Sequence, residues 1–483
     1  MSESESELLA NRRAKLDALR ALGVDPFGAA FSTTGTVAEA RSRFAEGNVE
    51  RLAGRLTAHR DMGRSHFLDL TDATGRIQLF VSTKELPPEQ LEIFKLLDLA
   101  DFIGVEGEAF MTKTGEPSLR VKQLTFLTKS LRPMPNQWYG VEDVELKYRQ
   151  RYLDLLANAE SKKVFQQRIQ IVREIRDFLH ARGFQEVETP MMQSVAGGAA
   201  ARPFQTHHNA LNIDLFLRIA PELYLKRLLV GGFDKIFEMN RNFCNEGISR
   251  RHNPEFTMLE VYWAYADFEA MAAMVEEMIC QLAQSTNGSE VVEHKDAEGN
   301  VTKRIDLTRP WKRARYHDLI RSVDAEWFER SIEGKREKCR ELGVEISPDM
   351  AEFEITQQIF EKKIEEKQID PLFVTHLPKE LVPLARQNRE NPDLVDVYEL
   401  VINGYEVSPG YSELNDPVVQ RERLEAQAGE EQQNIDEEFL SALEHGMPPA
   451  GGIGIGIDRL VMLLTGAESI RDVVFFPLLK PKG

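Results

Sequence analysis

Gly451-Gly452-Ile453-Gly454-Ile455-Gly456-Ile457-Asp458-Arg459-Leu460 alternates glycine with isoleucine near the C-terminus. On a strand, successive side chains point to opposite faces, so Ile453, Ile455 and Ile457 share one face and Gly452, Gly454 and Gly456 the other. The isoleucine face packs into a core. The glycine face is bare backbone on which a planar ligand fits. Asp458-Arg459 then opens a helix and sets a guanidinium at the edge of that floor. A dinucleotide fingerprint is the rival reading, but it needs G-x-G-x-x-G before a helix in a βαβ unit, and Arg459 stands where its last glycine belongs. A glycine strand packed only on a neighbouring backbone is the plain structural alternative.

Upstream, Arg241-Asn242-Phe243-Cys244-Asn245-Glu246-Gly247 leads through Ile248–Arg251 into His252-Asn253-Pro254-Glu255-Phe256-Thr257-Met258-Leu259-Glu260. This reads as strand, polar loop, strand. The loop gathers Glu246, Arg250, Arg251, His252 and Asn253, a density of mixed charge suited to a nucleotide and a metal-bound phosphate; a solvated hairpin is the alternative. Further back, Gly183-Phe184-Gln185-Glu186-Val187-Glu188-Thr189-Pro190 ends a long helix (162–182), adds a strand and stops at proline, a pattern natural at a subunit interface.

Outward from these segments the chain divides. Leu8, Leu9, Leu16, Leu19 and Leu22 mark an amphipathic helix stopped by Gly23, within an N-terminal extension over 1–50. From 51 to 130 the pattern becomes short strands: Phe67–Leu70, Arg76–Val81, Phe102–Gly107 and Leu119–Leu127, with a helix at Pro88–Leu97 after the third. About five strands with that helix fit an oligonucleotide-binding (OB) barrel, with any small β domain as the alternative. A proline-stiffened linker, 131–147, precedes a unit over 148–483 in which helices and strands alternate without repeats. There, helices are expected at 221–229 and 268–283, a strand at 256–262, a polar surface excursion at 285–310, a mostly helical insertion at about 316–366, and strands at 395–413 and 451–457. The fold class is α+β, with an antiparallel sheet flanked by helices.

Composition sets bounds. An apolar fraction of 42% and a charged fraction of 29% are those of a globular, soluble chain. No apolar run reaches membrane-spanning length, and the acidic start (Ser2 to Glu7) is unlike a signal peptide, so a cytoplasmic location with no membrane partner is expected. Three scattered cysteines, Cys244, Cys280 and Cys339, fit reduced thiols. The net charge of −18 disfavours a nucleic-acid partner at face value. The acid is concentrated late, however, while Arg12, Arg13, Lys15 and Arg20, then Lys113, Arg120, Lys122, Lys129 and Arg132, cluster early. Such clusters serve phosphate binding or merely a solvated face.

The three segments, in this order and behind a barrel, resemble the three motifs of class II aminoacyl-tRNA synthetases, in the lysine, aspartate and asparagine subgroup. Gly197–Phe204, Ala220–Arg227 and Tyr411–Asp416 are similar to the lysine enzymes. The resemblance covers essentially the whole chain and implies ATP-dependent activation of L-lysine, transfer to tRNA(Lys), a homodimer and magnesium as the ion. It further implies a lysine pocket of Gly198, Glu222, Glu260, Tyr262, Tyr411 and Glu413, with Glu413 and Tyr262 on the side-chain ammonium and Glu222 with the Gly198 backbone on the α-amino group. ATP falls to Glu246, His252, Asn253, Phe256, Glu406 and Arg459, with Phe256 stacking on adenine. Glu399 and Glu406 match the magnesium pair, and Phe67 and Gln78 match residues that read anticodon bases.

Two positions depart from the pattern. Cys244 stands where the second motif carries an arginine that bridges the amino-acid carboxylate and the α-phosphate. Pro409 stands where the lysine enzymes usually have an asparagine on that carboxylate. The catalytic group is thus Glu246, Arg459 and, in place of arginine, Cys244. Three readings compete: a working ligase, an impaired or repurposed paralogue that still binds lysine, ATP or tRNA, and a synthetase-like ligase with a changed substrate. Beside the arginines of a phosphate site, the Cys244 thiol pKa is expected to be lowered.

Overall fold

The computed structural model describes residues 3–134, 144–195, 197–198, 201–296, 298–382, 384–431 and 435–481. Residues 135–143 of the expected linker, and Ala199 and Ala200 of the Gly197–Phe204 stretch, lie outside the described residues. The chain divides into two compact units, Met1–Asp143 with Tyr152–Asn158, and Val144–Arg151 with Ala159–Gly483.

In the first unit, α1 (Glu3–Ala21) and α2 (Val37–Ser42) precede the strands. The Thr36 hydroxyl accepts from the Glu39 N–H while Glu39 reaches back to the Thr36 N–H, a capping box that fixes where α2 begins. Strands β1 (Val49–Asp61), β2 (Ser65–Thr71) and β3 (Arg76–Ser82), helix α3 (Pro88–Lys95), then β4 (Phe102–Met111) and β5 (Pro117–Thr128) close a barrel in the order β1-β2-β3-β5-β4. Alternation puts Leu68, Leu70, Ile77, Leu79 and Val81 in its core. Two members of the basic clusters are not available to phosphate. Lys129 is buried against Asp98 and Asp101, at 2.6 and 2.8 Å, and Arg12 donates to the carbonyls of Leu99, Ser130 and Arg132.

Of the two short helices that follow, α4 (Val144–Arg149) belongs to the second unit and α5 (Arg151–Ala157), from Tyr152 on, to the first. Helix α6 (Ala159–Ala181) leads to β6 (Gln185–Glu186), β7 (Met192–Gln193), β8 (Gln205–His208) and β9 (Ile213–Leu217). Then come α7 (Glu222–Val230), β10 (Lys235–Phe243), β11 (Glu255–Ala264), α8 (Phe268–Asn287), β12 (Val291–Lys295), β13 (Val301–Asp306) and β14 (Lys312–Arg315). Helices α9 (Tyr316–Val323), α10 (Ile332–Glu341) and α11 (Glu352–Lys363) precede β15 (Leu372–Thr375), β16 (Val397–Ile402) and β17 (Tyr405–Ser412). Last are α12 (Pro417–Glu431), α13 (Glu437–Glu444), β18 (Ala450–Gly456), α14 (Ile457–Thr465) and α15 (Ile470–Val473).

The main sheet has eight strands in the order β14-β15-β16-β17-β18-β11-β10-β6. Its centre is antiparallel, as expected, but both edges are parallel: β14 with β15 and β6 with β10. Parallel neighbours need a crossover, and the helical stretch α9–α11 is the crossover between β14 and β15. The 285–310 stretch also departs from expectation. It is a β12/β13 hairpin whose Val292, Ile305 and Leu307 enter the main core. Ile453, Ile455 and Ile457 pack in that core with α8 and α14, each burial contributing about 1.5–3 kcal/mol. Among the described residues, no helix is long and apolar enough to cross a membrane.

Candidate active site

The other face of the sheet carries a cavity of about 470 Å³, built on β10, β11, β17, β18 and α7. Leu259 and Val261 of β11 point to the core, so their neighbours Phe256, Met258, Glu260 and Tyr262 line the cavity. Strand register then fixes what lies beside them. Gly452 stands between Tyr262 of β11 and Tyr411 of β17, and Gly454 opposite Glu260. The cavity therefore runs along β11 from Phe256 to Tyr262, roughly 20 Å for six residues. The glycine face is less bare than the sequence implies. Glu413 and Tyr262 lie over Gly452, and Met258 over Gly454. Glycine makes room here for side chains as well as for a ligand.

At the Tyr262 end the walls are acidic. Glu222, Glu260 and Glu413 line the cavity although each is at most 6% exposed. Burial, and then Glu222, push the Glu260 carboxyl well above its ordinary range, and the Tyr262 hydroxyl donates to it at 3.1 Å. Burial pushes Glu413 up to about 7 against the opposing pull of Lys226. Lys226, which the sequence reading left without a role, is fully buried behind this end. Desolvation alone would lower its pKa, but Glu222 and Glu413 hold it above the ordinary value. A cation at one helical turn from Glu222 reads in sequence as a surface pair.

The Phe256 end gathers the loop. Glu246, Arg251, His252 and Asn253 line it with Phe256 and Arg459. An Arg459 guanidinium nitrogen lies 3.0 Å from His252 Nε2, and burial together with Arg459 lowers the His252 pKa, leaving a neutral ring at pH 7. Among the described residues, Asn242 Oδ1 and Asn253 Oδ1 are buried and meet no hydrogen-bond donor, acceptors that a ligand donor would satisfy. The frame beneath is rigid. Arg168 of α6 pairs with Asp458 at 2.6 Å, and Asp458 also accepts the Thr257 N–H at 2.7 Å.

Cys244 and Pro409 both line the cavity. The Cys244 thiol is pushed up, not down, to about 11, by burial and then by Glu246. It is a neutral thiol at pH 7, which corrects the expectation of a lowered pKa. Among the described residues, the guanidiniums lining the cavity are those of Arg251 and Arg459.

Glu399 and Glu406 come from β16 and β17, where a bulge at Leu400/Val401 shifts the register. Burial raises both, Glu399 well above its ordinary value with Glu406 adding to it, while Arg459 opposes the rise at Glu406. Glu365 is pushed to about 7 and accepts the Glu406 N–H at 3.0 Å. Glu406 lines the cavity and Glu399 does not. Crowded carboxylates that resist ionisation fit a divalent cation, whose charge would relieve them. Among the described residues, no group of three or more acidic, His or Cys side chains is arranged to hold one alone.

In the barrel, Phe67 is only half-buried and stands outside the core cluster, against Phe80 at 5.4 Å between ring centroids. Phe80 in turn meets Phe110, and the Arg120 guanidinium lies over both rings. Gln78 accepts from the Ser118 hydroxyl at 3.0 Å. Aromatic rings interleaved with a cation make a stacking surface; Phe80 and Phe110 are members the sequence reading missed.

Comparison with known proteins agrees with this architecture. Residues 143–480 match the model of tRNA synthetases class II (D, K and N), and residues 51–127 match that of the OB-fold nucleic acid binding domain. The lysine–tRNA ligase of Moorella thermoacetica is 49% identical over 490 residues, 99% of each chain. That of Syntrophomonas wolfei is 48% identical over all of this chain and 99% of its own. A Staphylococcus epidermidis lysine–tRNA ligase is 45% identical over the full length of both. With a mixed sheet behind a nucleotide-sized cavity, an OB barrel ahead of it and relatives matched from end to end, the chain belongs to the class II tRNA synthetases of the D, K and N group.

Proposed function

We propose that the chain activates L-lysine with ATP and esterifies it to the 3′ end of tRNA(Lys) in translation. The observation that carries this reading is the acidic end of the cavity. Buried carboxylates are costly without cationic partners, and Glu222 and Glu413, two carboxylates that line the cavity and share the single Lys226 ammonium, would take the two amino groups of lysine, with Tyr262, Tyr411 and the Gly198 backbone around them. The relatives' names support the same substrate.

ATP then occupies the Phe256 end, adenine on that ring and phosphates toward Glu246, His252, Asn253 and Arg459. No side chain acts as nucleophile. The lysine carboxylate attacks the α-phosphate in line, pyrophosphate departs, and the terminal adenosine hydroxyl of tRNA attacks the adenylate carbonyl, releasing AMP. The protein contributes position and charge. Glu399 and Glu406 would hold magnesium, which when bound neutralises phosphate charge. We assign 51–130, through Phe67 and Gln78, to the anticodon, 148–483 to catalysis, 1–50 to an extension and 131–147 to the linker between them. A homodimer through the 183–190 segment and a cytoplasmic location complete the reading.

Cys244 favours a second reading, a paralogue that binds lysine but activates it poorly, because a neutral thiol cannot bridge two anions. Lysine-dependent exchange of labelled pyrophosphate into ATP separates the two. We expect exchange by the parent chain, and acceleration in Cys244→Arg by up to about a hundredfold, the value of one transition-state donor. Silence from the parent with exchange in Cys244→Arg would establish the impaired paralogue. Silence from both would point to Pro409, the second departure, and to a substrate other than lysine.

A further inference from the structure

Lys226 does not line the cavity, yet it touches the two carboxylates that do. Its Nζ is 2.7 Å from Glu222 Oε1 and 2.5 Å from Glu413 Oε2. Glu222 shares α7 with Lys226, whereas Glu413 lies just past the end of β17, its N–H bonded to the Ala450 carbonyl at 2.8 Å. One buried cation thus ties a helix to a strand at the amino-acid end of the cavity. It has no route to water: the ammonium is fully buried, and parting from either glutamate would leave a charge unpaired in the interior.

The charges at this end can be counted. Glu260, whose carboxyl takes the Tyr262 hydroxyl as donor, is pushed well above the ordinary carboxylate range by burial and then by Glu222, and stands outside the Lys226 pairing. Above about pH 7, where Glu413 has lost its proton, the two carboxylates outnumber the one ammonium they share by one charge. Lysine, with two ammonium groups and one carboxylate, carries one net positive charge. A neutral amino acid would leave the end charged, and an acidic one would add to it.

We propose that Lys226 is a positioning and specificity-determining residue of the amino-acid site, fixing the separation of Glu222 and Glu413 from behind and leaving the single net negative charge that a lysine cation matches. This rests on the lysine reading above. Without Lys226, two like charges confront each other in a dry site, and one of them takes up a proton. Incoming lysine then meets a neutral carboxyl where it needs a carboxylate. The groups facing Glu413 are Lys226 and Glu222 from α7, Tyr262 from β11, and Tyr411 from the end of β17.

The test compares the full-length parent with Lys226→Gln and Lys226→Met, by lysine titration calorimetry and by pyrophosphate exchange between about pH 6 and 9. In the parent, lysine affinity should fall as pH drops through about 7, where Glu413 takes up a proton. In both variants the KM for lysine should rise about tenfold or more at pH 7, the loss of a charged hydrogen bond. The KM for ATP should stay within about twofold, and the acid limb should move to higher pH because the cation that lowers Glu413 is gone. An unchanged lysine KM and limb in Lys226→Gln would overturn the inference. So would variants that fail to fold, or lose lysine and ATP alike with the limb unmoved, since Lys226 would then be a folding residue. A parent that neither binds nor activates lysine would refute the function itself, a result visible before any variant is made.

Discussion

Gly452→Ala should reduce lysine-dependent pyrophosphate exchange to below about a hundredth of the parent rate, the scale of loss when a reacting group is misplaced by about an ångström. The reason is space. Gly452 pairs with Tyr262 on one side and Tyr411 on the other. A Cβ there would overlap Glu413 Oε1 and stand 2.9 Å from Tyr262 Cε1. The end of a flexible side chain would ordinarily move aside. Glu413 is held, however, by Lys226 at 2.5 Å, with its residue 2% exposed. The methyl group must displace the carboxylate proposed to grip the ammonium, the ring beside it, or the strand. ATP, at the far end of the cavity, should bind the variant with its KM within about twofold, so the loss falls on lysine. Parent-like exchange in Gly452→Ala would show that Glu413 does not hold the substrate.

The largest expected effect on stability is at Arg218. This guanidinium is fully buried, 2.6 Å from Glu238 Oε1 and donating to Thr189 Oγ1 at 3.1 Å and the Arg241 carbonyl at 2.9 Å. It fastens the segment before Pro190 to the sheet. Arg218→Met would leave the Glu238 carboxylate buried with only the Thr189 hydroxyl and the Asn240 amide as donors. Removing one partner of a buried pair costs about 3–5 kcal/mol, which lowers Tm by roughly 4–7 °C in a unit of this size. The double variant Arg218→Met/Glu238→Gln should recover part of that, since the stranded charge is gone. A fall of only a degree or two in a calorimetric scan of Arg218→Met would mean that water or a neighbour takes the place of the guanidinium.

Much of this architecture is legible in the residues, and the exceptions share a cause. Alternating isoleucine and glycine at 451–457 dictates a two-faced strand, because the pleat leaves no other way to bury three β-branched side chains together. The loop between β10 and β11 announces itself by charge that a hairpin does not need. Lys226 was missed because its neighbours in sequence suggest a solvated helical pair; its burial depends on Glu413, far along the chain. The parallel edges were missed because β6 has only two residues and β14 four, too short for a period to register. Phe80 and Phe110 carry no signal of their own in the sequence; it is the barrel that sets Phe80 against Phe67 and Phe110 against Phe80. What the sequence conveys is local pattern. Partners brought in by the fold are what it leaves open.

The position of β18 has a consequence for how the molecule fails. It is laddered to β11 on one side and β17 on the other, and its isoleucines lie in the main core. Deuterium therefore reaches its amides only when the sheet is breached at its middle, among the last events short of complete unfolding. The same strand turns Gly452, Gly454 and Gly456 to the cavity side of the sheet. Cavity floor and core are two sides of one ribbon, so heat inactivation and loss of tertiary structure should coincide. No loosened pocket persists on an intact scaffold.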